Sequence, residues 1–314
     1  MLRFEGLGCC LAVALGLAAE MLAAAEPPSS ATFRVEQVAP GVFVHTGAHA
    51  EMGAANRGDI ANSGFIVGER CVAVIDPGGS LTVGRGLKAA LRDITAKPVC
   101  YVIYTHLHPD HVLGGRALLD DHPQYVGHSG FTAALGDNQA YFQQRFVKPI
   151  EGAGVSNEVI PPSVLVKGEQ ELDLGGRKLK LEIHAKAHTD TDLTVYDEQT
   201  GTWWLGDLLF VERTPAVDGS LKGWLQIDEQ LRRRPAQRAI PGHGPASVPW
   251  PAALEAQDRY LKTIAEQTRA AIKSGKTLEQ ALEQVGADER GQWRLFEEYH
   301  KRNVTRAYKE LEWE

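Results

Sequence analysis

Thr105-His106-Leu107-His108-Pro109-Asp110-His111 is the run on which the reading of this 314-residue chain turns. Three imidazoles and one carboxylate fall within it, and both are ligand types for divalent ions such as zinc. Alternation along an extended segment puts His106 and His108 on one side. A turn directed by Pro109 then sets Asp110 and His111 toward a second ion, about 3.5–4 Å from the first in two-metal sites. The preceding Val99-Cys100-Tyr101-Val102-Ile103-Tyr104 reads as a buried strand, and strand carboxyl ends are where α/β folds present ligands. A surface loop that merely happens to be rich in histidine has no need of that apolar lead-in.

Upstream, Phe33 to His45 has strand-like alternation, and 46–61 reads as a polar, glycine-rich loop. Ser63–Val67 and Cys71–Ile75 read as buried strands joined by Gly68-Glu69-Arg70. After Asp76-Pro77-Gly78-Gly79, Ser80 caps a helix carrying Val83, Leu87, Ala90, Leu91 and Ile94 at helical spacing. The order β-α-β predicts parallel strands with a right-handed crossover. Downstream, 129–147 reads as a polar and aromatic helix overhanging the histidine run. Lys178–Ile183 is a strand, Leu193–Tyr196 and Thr202–Leu205 are a hairpin, and 208–224 reads as an active-site loop. From Pro251 the pattern is helical: Leu254, Leu261, Ile264, Thr268 and Ile272 share a face, and Gly275 stops the helix. Thr277 and Gln280 have capping-box spacing, and Trp293 to Leu311 is a last amphipathic helix whose stripe reads as packing surface.

Three isolated elements extend the metal-binding pattern. His188 sits in the turn Ala187-His188-Thr189-Asp190-Thr191-Asp192, Asp207 follows Gly206 at a strand end, and His243 lies in Pro241-Gly242-His243-Gly244. Each borders a strand-like run. Any one alone would pass for an ordinary hydrogen-bonded side chain; with the first motif they form a set. His45, His122, His128 and His184 read as structural or exposed.

With Asp76, the 106–111 motif, His188, Asp207 and His243 in this order, residues 33–248 resemble the metallo-β-lactamase-fold hydrolases. The resemblance implies an α/β fold, a four-layer αββα sandwich, with a C-terminal helical appendage here. It implies that His106, His108 and His188 hold one metal, that Asp110, His111 and His243 hold a second, and that Asp207 bridges them. Asp76 would orient ligands without being one. Two such ions lower the pKa of a shared water from 15.7 to about 7, giving a metal-bridging hydroxide at neutral pH. Asp110 and Asp207 are then the catalytic candidates, neutralising charge and handling the proton. Two zinc ions suit this mixed donor set, although iron and manganese accept the same ligand types. Arg213, Lys222, Tyr141 and Trp224 are the candidate substrate contacts.

A narrower resemblance rests on Asp76-Pro77-Gly78-Gly79-Ser80, Val211 to Pro215, Asp218 to Trp224 and Asn303 to Glu312. These segments are similar to the periplasmic zinc metallohydrolases of quinoprotein dehydrogenase systems, which implies a functional link to such dehydrogenases. The substrate is expected to be a small molecule carrying an ester, thioester, lactone or related bond. Three alternatives stay open. β-Lactamases of the family usually carry cysteine or serine where this chain has Asp207. Diiron oxidoreductases of the fold usually carry glutamate where it has His108, leaving a mononuclear iron sulfur dioxygenase as the redox option. A non-catalytic quinone-system accessory protein would not require the complete ligand set.

The net charge of −7 gives no basic footprint for nucleic acid. Residues 1–25 have the anatomy of a signal peptide, with Arg3, an apolar stretch from Leu7 to Ala19 and small residues before Glu26. That predicts a periplasmic or secreted protein without a membrane anchor after cleavage, a hydrolase domain over 26–250 and a helical extension over 251–314. Cys71 and Cys100 are then in an oxidising compartment, where a disulfide needs suitable Cα spacing. The expectation favours two buried thiols packed as small apolar residues.

Overall fold

Pro40-Gly41 breaks the Phe33–His45 stretch, strand-like in its alternation, into a hairpin. Gly41 takes a left-handed φ of 70°, which glycine adopts without steric cost, and β1 (Glu36–Ala39) folds back antiparallel on β2 (Val42–His45). The computed structural model describes Met1 and residues 33–314; the segment read as an export signal and the leader after it lie outside the described residues.

The chain continues through β3 (Ser63–Val67), β4 (Val72–Ile75), α1 (Leu81–Ile94), β5 (Val99–Ile103), the short α2 (Pro109–Val112), β6 (Gln124–His128) and α3 (Phe131–Phe142). A π-turn at Gln143–Val147 leads into α4 (Lys148–Glu151), followed by β7 (Val164–Val166), β8 (Glu169–Asp173), β9 (Lys178–Ile183), β10 (Leu193–Asp197) and β11 (Thr202–Phe210). Last come α5 (Leu221–Arg232), β12 (Arg238–His243), β13 (Val248–Pro249), α6 (Leu254–Lys273), α7 (Leu278–Gln284) and α8 (Phe296–Leu311). Ser80 Oγ accepts from Val83 N at 3.2 Å, so α1 starts where the cap residue places it. The capping box of Thr277 and Gln280 opens α7 as the spacing requires.

Seven strands form one sheet in sequential order β1 to β7; its first three pairings are antiparallel and the rest parallel. Six strands form the other, ordered β13-β12-β11-β10-β9-β8. Along β4, Ala73 and Ile75 face the second sheet, where they meet Leu181, Val195, Trp204 and Ile240. Val72 and Val74 face the other way, packing with Leu87 and Leu91 of α1 and Phe131 of α3. Beyond the second sheet, Trp203 and Leu205 of β11 pack with Leu221, Leu261, Ile264, Val304 and Ala307 of α5, α6 and α8. The result is the expected four layers, α/β/β/α. The C-terminal helices share a core with the second sheet, and the described residues from 33 to 314 belong to one compact unit.

Two local expectations are corrected. Cys71 and Cys100 form a disulfide, with Cα atoms 5.8 Å apart, instead of two thiols. The parallel register of β4 and β5 slips between Val72↔Val99 and Ala73↔Tyr101, so Cys100 is an extra residue in the ladder, beside Cys71. Residues 208–224 are not all loop: β11 runs through Phe210, and Ser220 Oγ accepts from Gly223 N at 3.0 Å to start α5. Among the described residues, no helix is long and apolar enough to cross a membrane.

Candidate metal centre

Every chemistry-bearing residue of the sequence pattern reaches one edge of the two sheets. Asp76 leaves β4, His106 and His108 lie in the loop after β5, and Pro109 opens α2 with Asp110 and His111 in its single turn. His188 lies in the turn before β10, and His243 is the last residue of β12. Asp207 does not end its strand as expected; it sits inside β11 at a register irregularity. Gly206 makes that irregularity with φ 52°, and a Cβ there would lie 2.4 Å from Thr105 Oγ1. Gly242 on β12 is equally constrained, because its Cβ would lie 1.9 Å from Asp207 Oδ1.

Two groups result, His106 with His108, His188 and Asp207, and Asp110 with His111 and His243; within each, potential ligand atoms lie within 4.8 Å of one another. His188 Nε2 is 3.0 Å from His108 Nδ1 and 3.3 Å from Asp207 Oδ2. His243 Nε2 is 3.4 Å from Asp110 Oδ2 and 3.3 Å from Asp207 Oδ2. Asp207 Oδ1 lies 3.1 Å from His111 Nε2, misaligned for a hydrogen bond. Asp207 therefore contacts both groups.

Outer partners fix the rings. Asp76 Oδ2 accepts from His111 Nδ1 at 2.9 Å, the Ala216 carbonyl from His188 Nδ1 at 2.7 Å, and the Ile60 carbonyl from His243 Nδ1 at 2.7 Å. Thr105 Oγ1 donates to Asp76 Oδ2 at 2.7 Å and lies 3.0 Å from His106 Nδ1. These tautomers, assigned from the network, turn each Nε2 lone pair inward. His108 is reversed: its Nδ1 faces inward, and Nε2 lies 3.5 Å from Asp218 Oδ2.

Charge at the centre is unevenly held. Burial holds the His106 imidazole well below its usual range, and the neighbouring His111 adds to that. Burial likewise takes His188 down to about 4 and lowers His243, the latter helped by Arg213. For His111 burial also pushes down, but Asp207, Asp76 and Asp110 outweigh it and raise the ring well above its ordinary value. Burial would raise Asp207, yet His243, His111 and His106 together hold it well below the carboxylate range. Three buried atoms here, His106 Nε2, His111 Nε2 and Asp207 Oδ1, have no hydrogen-bond partner among the described residues. Converging imidazoles, three of them held neutral by burial, a buried carboxylate and unpartnered inward atoms are the donor set that a divalent metal satisfies, its charge displacing the proton that the carboxylates keep on His111.

The groups open into a cavity of about 550 Å³. Of the four candidate substrate contacts, Arg213 and Tyr141 line it. Arg213 is buried, with Nη1 2.8 Å from His243 Nδ1 and Nη2 donating to Tyr299 Oη at 2.7 Å. Lys222 is not among the lining residues; α5 carries it to Glu314, 3.3 Å away. Trp224 is fully buried and packs edge-on to the His188 ring, centroids 5.4 Å apart, so it supports His188 from behind. Sequence reasoning missed Thr105, Ile60, Ala216 and Tyr299. Two of these act through backbone carbonyls, which no residue type announces. Asp218 and the α8 residues Arg302 and Arg306 carry no individual site role in the sequence reading.

A sequence model of the metallo-beta-lactamase superfamily matches residues 56–243. The putative diflavin flavoprotein A 6 of Nostoc sp. is 28% identical over 181 residues, 56% of this chain and 28% of that protein. The linear primary-alkylsulfatase of Pseudomonas sp. is 38% identical over 48 residues, 15% of this chain and 9% of that protein. Among solved structures, the inverting sec-alkylsulfatase from Pseudomonas sp. superposes with a TM-score of 0.68 at 17% identity, covering 88% of this chain and 49% of that one. The metallo-beta-lactamase from Pontibacter korlensis gives 0.57 at 20% identity, covering 73% and 98%. The chain thus spans less than a third of either relative and about half of the solved alkylsulfatase, and at these identities the structural likeness is one of fold. The superfamily match takes in more than half of the sequence and encloses all seven residues of both groups, and the chain belongs to the metallo-beta-lactamase superfamily.

Proposed function

We propose that the protein is a hydrolase dependent on two zinc ions, acting on an ester, thioester, lactone or related bond of a small molecule. The observation that carries this is the convergence of seven histidine and aspartate side chains, with unpartnered inward atoms, beside one open cavity that four of these residues (His108, Asp110, Asp207 and His243) line. His106, His108 and His188 would hold one ion, Asp110, His111 and His243 the other, and Asp207 would serve both. Bound there, the ions supply a water whose pKa falls from 15.7 to about 7, a nucleophile at neutral pH.

The protein side chains do the rest. Asp110 lines the cavity, and its carboxylate can take a proton from the attacking water and return it to the leaving atom, oxygen in an ester or lactone and sulfur in a thioester. Asp207, held ionised by the surrounding imidazoles, keeps the centre's net charge low. Arg213 places a fixed positive charge on the wall, where charge builds on the substrate oxygen. Met52, Leu107, Phe142 and Phe146 give the cavity apolar surface that excludes water from the bound substrate. Export and a link to quinoprotein dehydrogenases belong to the same reading; the 1–25 segment and the narrower sequence resemblance support them.

A panel of ester, thioester, lactone and β-lactam substrates tests the reaction class. At least one acyl or lactone substrate should turn over faster than any β-lactam. Chelation should abolish turnover and zinc restore it; Asp207→Ala should lose most of it while near-ultraviolet circular dichroism stays native. Efficient cleavage of penicillins or carbapenems with no esterase or lactonase activity would move the assignment to β-lactamase.

A further inference from the structure

The cavity has two unlike walls. α3 and the π-turn contribute Tyr141, Phe142 and Phe146, and Tyr141 is 54% exposed at the rim although aromatic. An exposed aromatic at a cavity mouth, continuous with two others, is an apolar platform. Its ring centroids are 5.8 Å from Tyr141 to Phe146 and 6.3 Å from Phe142 to Phe146. The π-turn Gln143–Val147 sits at this wall, a helix irregularity frequent at functional sites.

The other wall is cationic. Tyr299, Arg302 and Arg306 recur along α8 at the spacing that aligns side chains on one helix face, and all three line the cavity. Tyr299 is held between two guanidinium groups, Arg213 at 5.1 Å and Arg302 at 5.5 Å from its ring centre. Among the described residues the one carboxylate Arg302 reaches is Asp218, at 3.7 Å, and its side chain is 61% exposed. Lys186 and Arg306 also line the cavity, as does Arg145 of the π-turn, its guanidinium 5.7 Å from the Phe146 ring centre, and the three side chains make no ion pair among the described residues. Arg213, though buried, keeps its Nε unpartnered. Against these five cations stand three carboxylates outside the metal-binding groups: Glu51, Asp190 and Asp218, the last facing His108. Exposed guanidinium groups gathered at one mouth, Arg306 with no ion pair among the described residues and Arg302 with only a 3.7 Å contact to Asp218, attract and hold an anion.

We propose that the substrate is an anionic amphiphile. Its acidic group, a carboxylate or a sulfate, is held by Arg302 and Arg306 of α8, and its apolar body lies on Tyr141 and Phe146. The C-terminal helix is then a specificity element as well as a packing element. The proposal rests on the hydrolase reading for the bond that is cut, but its binding part stands apart from it.

Calorimetric titration of the metal-loaded full chain with hexyl sulfate, hexanoate and hexan-1-ol tests it. The three probes share a chain and differ in charge and head group. At least one anion should bind tenfold or more tighter than the alcohol. In the double variant Arg302→Ala, Arg306→Ala, that anion should lose about tenfold in affinity, the equivalent of one charge-assisted hydrogen bond, with the alcohol unaffected. Metal content and melting temperature of the variant serve as controls for folding. Preference for hexyl sulfate over hexanoate, or the reverse, names the acidic group. Anions binding no better than the alcohol, or binding undiminished in the variant, would overturn the proposal, the second by showing that the metal centre alone holds them. Turnover of 4-nitrophenyl hexanoate and of mono-4-nitrophenyl adipate separates the two claims. Cleavage with an arginine-dependent preference for the adipate supports both. Absence of all ester, thioester and lactone turnover beside arginine-dependent anion binding would sink the hydrolase reading and leave the anion subsite standing.

Discussion

Asp76 holds the His111 ring in place: its Oδ2 accepts from Nδ1 at 2.9 Å, and both side chains are fully buried. The same carboxylate takes the Thr105 backbone N–H at 2.8 Å and the Thr105 hydroxyl at 2.7 Å, so one residue ties β4 to the start of the histidine run. Asp76 itself sits at φ 48°, a left-handed conformation that asparagine tolerates nearly as well. Asp76→Asn should therefore fold normally and keep its shape, yet lose the charge that orients His111. Metal affinity at the Asp110–His111–His243 group should fall 10–100-fold, about the usual effect of removing such an outer partner. Competition against a chelator of known affinity measures it.

The disulfide gives a second expectation. Cys71 and Cys100 close a loop across a sequence separation of 29. Chain-entropy reasoning gives such a cross-link about 3–4 kcal/mol of stability. Replacing both cysteines by alanine should lower unfolding stability by up to that amount, measured by denaturant titration. A protein lacking residues 1–25, denatured without reductant, should show no free thiol.

The four layers and the seven residues that converge were legible in the sequence because both rest on strong local signals. Apolar strands such as Val99–Ile103 run into clustered histidines, and Ser80 and Thr277 cap their helices as their side chains dictate. What escaped depends on register and on surfaces brought together from far apart. The extra residue that sets Cys100 beside Cys71 is a slip in strand pairing, and the bulge at Gly206 that keeps Asp207 within β11 is another. Ile60 and Ala216 act through backbone carbonyls, which every residue has. The role of α8 was hidden for a different reason. Its packing stripe, Phe296, Val304, Ala307 and Leu311, dominates the periodicity, while Tyr299, Arg302 and Arg306 on the adjoining face look like ordinary solvated positions.

Asp228 yields a pH prediction remote from the cavity. It is fully buried between α5 and α6, with Gln257 Nε2 3.2 Å away as its hydrogen-bond partner. Burial pushes its carboxyl well above the usual range. The unfolded chain therefore ionises this group before the folded protein does, and stability is lost as pH rises from the unfolded pKa through the folded one. Asp228→Asn removes that loss. The variant should melt about 2 °C higher than the parent at pH 7, roughly the shift that 1 kcal/mol produces at an unfolding entropy of about 2.1 cal/mol/K per residue, and the gap should close near pH 4. Scanning calorimetry at the two pH values reads it directly.

The central claim is that seven side chains hold two metal ions, with His243 serving the second. Elemental analysis of the purified protein and of His243→Ala tests it most directly. The account predicts close to two equivalents of metal per chain, zinc dominant, falling toward one in the variant while His106, His108 and His188 keep theirs. One iron per chain and no second metal in the intact protein would contradict it.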